Sequence, residues 1–159
     1  MYAKITSSVL ALSAILAGCC SICSECVGEY PAEIWSAQMA KVHAGFVRGC
    51  ETFARAIPDM PVEKRTAAER ELRLFRAETL HFRSCVDQAG FYLAREKNDI
   101  AAMRTYAARE LETAKSILPL VRQDSSFGYE SSNQYFYIPQ DVCEKILSCR
   151  QVLDGMPAA

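Results

Sequence analysis

Steps of three and four between apolar residues run through most of this chain. From Ala32 to Ile57, the residues Trp35, Met39, Val42, Phe46, Cys50, Phe53 and Ile57 follow that spacing. A period of 3.6 gathers such positions on one helix face, so a single helix is predicted. Pro58 and Pro61 interrupt it, because proline donates no amide hydrogen and restricts the residue before it. Pro61 is expected early in the next helix, with Asp59 as its cap. That second helix is predicted from Val62 to Lys97, with Ala68, Leu72, Phe75, Thr79, Phe82, Val86, Ala89 and Leu93 as its stripe. Arg65, Glu69, Arg70, Arg73, Arg76 and Glu78 form a solvated outer face, on which Glu69 and Arg73 are spaced for an ion pair.

Lys97-Asn98-Asp99 reads as a tight helix–helix turn, with Asp99 capping a third helix. Ile100, Met103, Ala107, Leu111, Ala114, Leu118 and Val121 are its stripe, and Pro119 is expected to kink it or begin its last turn. Pro139 opens a fourth helix, with Asp141 and Glu144 near the positive end of its dipole. Val142, Ile146, Cys149 and Leu153 face inward on it, and Gly155-Met156-Pro157 closes it. Tyr135 to Ile138 is β-prone but short and has no evident partner, so no strand is predicted. The expected fold is all-α: an antiparallel bundle of about four helices over residues 32–157, with a long aromatic loop before the last helix.

Length and charge narrow the function classes. The 159 residues suit one domain, and a net charge of -1 offers no footprint for nucleic acid. The amino terminus reads differently from the body. Ile5 to Gly18 is a 14-residue small and apolar run after Lys4, too short for a membrane span of about 20 residues and closer to a signal-peptide core. Leu16-Ala17-Gly18-Cys19 resembles a bacterial lipobox. The resemblance implies removal of residues 1–18, lipid attachment at Cys19 and a membrane-anchored lipoprotein of the cell envelope, with residues 19–31 as a cysteine-rich tether. In the alternative, Ile5–Gly18 is a buried helix of a cytoplasmic fragment whose true start lies elsewhere.

Two cysteine groups follow. Cys20, Cys23 and Cys26 have iron–sulfur spacing, but Tyr30 stands where a fourth thiolate belongs. Cys50, Cys85, Cys143 and Cys149 are scattered through the helices as small apolar residues. His81 and Cys85 share a helix face, yet two ligands make no metal site, and His43 is the other histidine. With no Ser–His–Asp order, phosphate-binding glycine loop or nucleotide fingerprint, no catalytic residue, metal or cofactor is expected.

The least generic stretch is Arg122 to Pro139, where Phe127, Tyr129, Tyr135, Phe136 and Tyr137 sit among Ser, Asn, Gln and Gly. Aromatic faces stack on sugar rings, and tyrosine adds a polar tip. Tyr129, Glu130, Asn133, Tyr135 and Tyr137 are therefore the candidate contacts for a glycan or partner. The competing reading is that these rings plug the open end of the bundle.

Several elements of the later chain resemble the carboxy-terminal helical region of large bacterial glycoside-hydrolase-like proteins. They are Arg83-Ser84, Gln88, Phe91 and Arg95, then Leu118 to Arg122, Asp124-Ser125, Gly128-Tyr129-Glu130, Asn133 and Tyr135 to Tyr137. Asp141, Glu144-Lys145 and Cys149-Arg150 complete the pattern. The resemblance implies a non-catalytic accessory module for interdomain packing or glycan contact, its partner a glycan or a catalytic glycoside-hydrolase-like domain. Glycoside cleavage needs two opposed carboxylates. Asp124 and Glu130 lie on one connection with no barrel around them, so independent catalysis is not expected. The alternatives are a free-standing envelope lipoprotein that binds a protein along a helix face, or a truncated remnant of a larger protein.

Overall fold

The computed structural model describes residues 31–124 and 138–157, together with two short paired strands between them. Among the described residues there are four helices: α1 (Ala32–Ala56), α2 (Val62–Glu96), α3 (Ile100–Gln123) and α4 (Pro139–Gly155). The all-α class predicted from spacing is what the chain adopts, and neighbouring helices run antiparallel. Glu33 of α1 reaches Lys97, Phe46 meets Phe82 at 4.7 Å between centroids, and Phe53 meets Phe75 at 5.4 Å. Arg70 and Asp124 pair across α2 and the end of α3 at 2.9 Å. Arg104 of α3 donates to the carbonyls of Leu153, Met156 and Pro157 at 3.1–3.2 Å. A guanidinium there satisfies carbonyls that the end of α4 leaves without amide partners.

The turns follow their residues. A 3-10 turn, Ile57–Asp59, separates α1 from α2. Asp59 is not the cap that the sequence led us to expect: Pro61 holds that position and makes no side-chain cap. Arg65 instead reaches back, donating to the carbonyls of Met60 at 2.9 Å and Pro58 at 2.8 Å. Between α2 and α3, Asn98 adopts φ 53°, and Asp99 N–H and Asn98 N–H bond to the carbonyls of Ala94 and Arg95. That pattern is a Schellman closure, with Asn in the left-handed position. Asp99 then caps α3 as predicted, accepting from Ala102 N–H at 2.9 Å. The helix continues past Pro119 to Gln123. The expectation of no strand is corrected: Tyr129–Glu130 (β1) pairs antiparallel with Gln134–Tyr135 (β2), each the partner that a single short strand lacks.

The helices are laid side by side in series. Among the described residues α1 packs along α2 only, whereas α3 lies between α2 and α4. One apolar cluster joins Phe91, Ala94, Met103, Ala107, Val152 and Met156; a second joins Ile117, Val121 and Val142 with Leu74, Leu80 and Ile146. The third, Ile57, Ala68 and Leu72, closes the corner where α1 turns into α2. No residue of α1 itself is fully buried.

Candidate functional site

Two features stand out: a polar layer inside the core and an apolar groove outside it. The layer is shared by α2, α3 and α4, between the two large apolar clusters. Ser84 and Gln88 come from α2, Glu110 and Thr113 from α3, and Lys145 and Cys149 from α4. Lys145 and Glu110 form an ion pair, each side chain only 3 % exposed. Ser84 Oγ donates to Glu110 Oε1 at 2.6 Å and accepts from Lys145 Nζ at 2.9 Å and Gln88 Nε2 at 2.7 Å. Glu110 Oε2 and Thr113 Oγ1 are buried without a protein hydrogen-bond partner among the described residues. Burial, and then the Glu110 charge, pushes the Cys149 thiol up to about 12.

Asp87 is one turn along α2 and fully enclosed. Arg109 Nη2 stands 2.7 Å from its Oδ1 and Arg83 Nε 3.7 Å from its Oδ2. Neither approach is aligned for a hydrogen bond, so the attraction is a charge–charge one. Burial outweighs it and raises Asp87 to about 6, Arg109 opposing the shift.

Ser84 beside a lysine has the composition of a nucleophile and its base. Its exposure is 1 %, and Lys145 is equally enclosed, so no substrate reaches either group. The layer's chemistry is that of a core: every charge has a counter-charge, and helices that slid by one turn would break them all.

The groove is the opposite case. It runs between α1 and α2, measures about 840 Å³ and is open along one side. Val42, Phe46, Phe53, Ala56 and Phe75 make it apolar, with Gly45, Gly49 and Thr52 along its floor. A Cβ placed on Gly45 or Gly49 would meet no atom within 4 Å, so this strip of α1 is bare helix backbone. Cys50 is turned to the α2 side, 3.2 Å from Thr79 Oγ1. Thr79 spends its own proton on the Phe75 carbonyl at 2.7 Å, which makes the Cys50 thiol the donor. His43 Nδ1 donates to the Thr79 carbonyl at 3.1 Å, and burial lowers its pKa. Arg48 lines the groove, and Lys41 and Arg55, seven residues to either side, are likewise exposed. Among the described residues none of these three cations has a carboxylate within ion-pair distance.

The residues expected to touch a glycan fare as follows. Tyr129 is paired with Tyr135 and Glu130 with Gln134 through their backbones; their side chains, and Asn133 and Tyr137 altogether, lie outside the described residues. Cys19 and the cysteines at 20, 23 and 26 also lie outside them. Asp124, the carboxylate paired on paper with Glu130, is engaged by Arg70. The Glu69–Arg73 ion pair expected on α2 does not form; both are surface groups, and such pairs gain little. Among the described residues no three His, Cys, Asp or Glu side chains are grouped to hold a metal, and no helix is long and apolar enough to cross a membrane.

Sequence reasoning missed the polar layer and the groove. A signal for the first was present: from Thr79 to Ala94 the sole charges are Arg83 and Asp87, so α2 stops being amphipathic where both its faces are covered. No family model matches the sequence, and no curated protein and no solved structure matches it either.

Proposed function

We propose that this chain is a non-catalytic helical docking module, whose groove between α1 and α2 receives a helix from a partner protein or a neighbouring domain. The observation that carries this reading is α1 itself. It presents Val42, Phe46 and Phe53 to a trough of about 840 Å³, and not one of its residues is fully buried. The floor residues Gly45, Gly49, Thr52 and Ala56 are spaced by three and four, so the ridge of another helix fits along them. From Val42 to Ala56 the trough is about 21 Å long, four turns of helix at 1.5 Å per residue. An apolar trough open along one side and four turns long is a shape in which the apolar face of another helix can lie. Anchorage at the envelope through Cys19, and kinship with glycoside-hydrolase-like proteins, belong to the same proposal, with the docked helix supplied by the larger assembly.

The test uses an uncharged amphipathic peptide of about 20 residues, long enough for the groove, with a leucine face and a fluorescent label. Saturable binding to the full chain is expected, and Gly49→Leu should abolish it by filling the floor. That substitution has room at its Cβ and replaces glycine within a helix, so it should leave the fold intact or slightly firmer. Absence of binding, or equal binding to a folded Gly49→Leu variant, overturns the reading.

A further inference from the structure

The groove has a chemical polarity of its own. Lys41, Arg48 and Arg55 recur every seven residues along α1, which sets them about 10 Å apart on one edge of the apolar floor. Glu51 lies within a turn of both arginines, yet it bridges neither within 4 Å. Arg55 has only the Thr52 hydroxyl, at 3.2 Å. A row of cations beside an apolar trough, not ion-paired to the neighbouring Glu51, is one half of a complementary surface. From this we infer that the helix docked in the groove carries carboxylates at seven-residue intervals, on the flank that runs beside Lys41, Arg48 and Arg55. The inference rests on the docking reading above and adds the chemistry of the partner.

The spacing selects this occupant over others. An anionic lipid offers one headgroup and addresses one cation, whereas a helix repeats its side-chain positions at the pitch of the row. A second copy of the chain fits poorly: an antiparallel two-fold pairing of α1 would set the cationic row against itself. Residues 5–18 of this chain are apolar but contain no carboxylate, so they would leave the row unanswered. The arrangement resembles the flanking charges that choose partners in coiled coils, where the apolar seam supplies affinity and the edge charges supply selectivity.

Two labelled peptides of about 20 residues share the leucine face and differ in one flank, which bears glutamate or lysine every seven residues. Against the full chain the glutamate peptide should bind about tenfold more tightly than the uncharged one at low salt, since each exposed pair contributes a factor of about two. The lysine peptide should bind more weakly than the uncharged one. Lys41→Gln, Arg48→Gln and Arg55→Gln together should remove the glutamate preference, so that this variant binds the glutamate and uncharged peptides alike, and raised salt should do the same. Equal binding of all three peptides, with Gly49→Leu still blocking them, overturns the charge inference and leaves docking intact. Failure of every peptide removes both. Binding of phosphatidylglycerol vesicles that the triple variant loses, or self-association that Gly49→Leu abolishes, assigns the row to another partner and equally overturns the inference.

Discussion

Replacing Lys145 by methionine tests whether the core's polar layer is held by its ion pair. The substitution keeps the length of the side chain and removes its charge, leaving the Glu110 carboxylate enclosed with only Ser84 and Gln88 as donors. Removing one partner of a buried pair costs about 3–5 kcal/mol. A second route limits the loss. A buried carboxylate without its cation takes up a proton, and protonating an ordinary glutamate against pH 7 costs about 4 kcal/mol. The two figures agree, so a destabilisation of about 4 kcal/mol is expected, a large share of the 5–15 kcal/mol typical of a domain. For a chain of 159 residues that lowers the melting temperature on the order of 10 °C. The proton also gives the variant a pH signature. Its folded state binds one proton more than its unfolded state, so its stability relative to wild type should recover by about 1.4 kcal/mol per pH unit as pH falls from 7 towards 5. Urea unfolding followed by far-UV circular dichroism measures both effects, with the midpoint and slope read separately. Adding Glu110→Gln to the variant should restore most of the loss, because the amide oxygen still accepts from Ser84 without a charge to bury. The reasoning fails if Lys145→Met costs less than about 1 kcal/mol, if its loss is flat with pH, or if the double variant is no better than the single.

Three further outcomes follow from particular contacts. Asp87→Asn should remove a pH trend: because Asp87 is raised to about 6 by burial, its contribution is fully present below its unfolded value near 3.9 and is lost as pH rises through 6, so wild type weakens across that window by about 3 kcal/mol more than the asparagine variant does. Parallel melting curves at stepped pH would refute this. Gly90→Ala should destabilise by about 1–3 kcal/mol despite better helix propensity, since its Cβ would collide with the Tyr106 ring; in a Tyr106→Ala background the same change should cost nothing, and an equal cost in both backgrounds refutes the collision. The Cys149 thiol, buried and pushed up to about 12, should resist a thiol reagent in the native protein at neutral pH and react on unfolding, as thiolate is the reactive form; rapid native labelling, located at Cys149 by mass spectrometry, would contradict its placement.

How much of this was legible beforehand differs from element to element. The four helices and their stops came from local rules: apolar steps of three and four, prolines at 58, 61 and 139, and an aspartate at 99 that caps α3. Asp59 failed as a cap because α2 begins at Val62 with Pro61 in the cap position, which leaves Asp59 two residues too early, inside the 3-10 turn. The stripes on α2, α3 and α4 were half seen. Ala68, Leu72, Met103, Ala107, Val142 and Cys149 are buried as expected, but so are Ser84, Glu110 and Lys145, which a polarity pattern places in water.

The physical reason is the range of each interaction. Helix formation and capping depend on residues within a turn of one another, so the sequence by itself determined where the helices lie and, through the short turns at 57–61 and 97–99, that α1, α2 and α3 run antiparallel. Burying Lys145 is favourable only with Glu110 35 residues away in the chain and Ser84 61 residues away, and no local pattern records that meeting. The groove arises in the same way. The small strip on α1 reads as ordinary helix until the packing of four helices in series leaves one side of it, with its row of cations, uncovered. Tertiary structure alone decided which face became core and which stayed exposed.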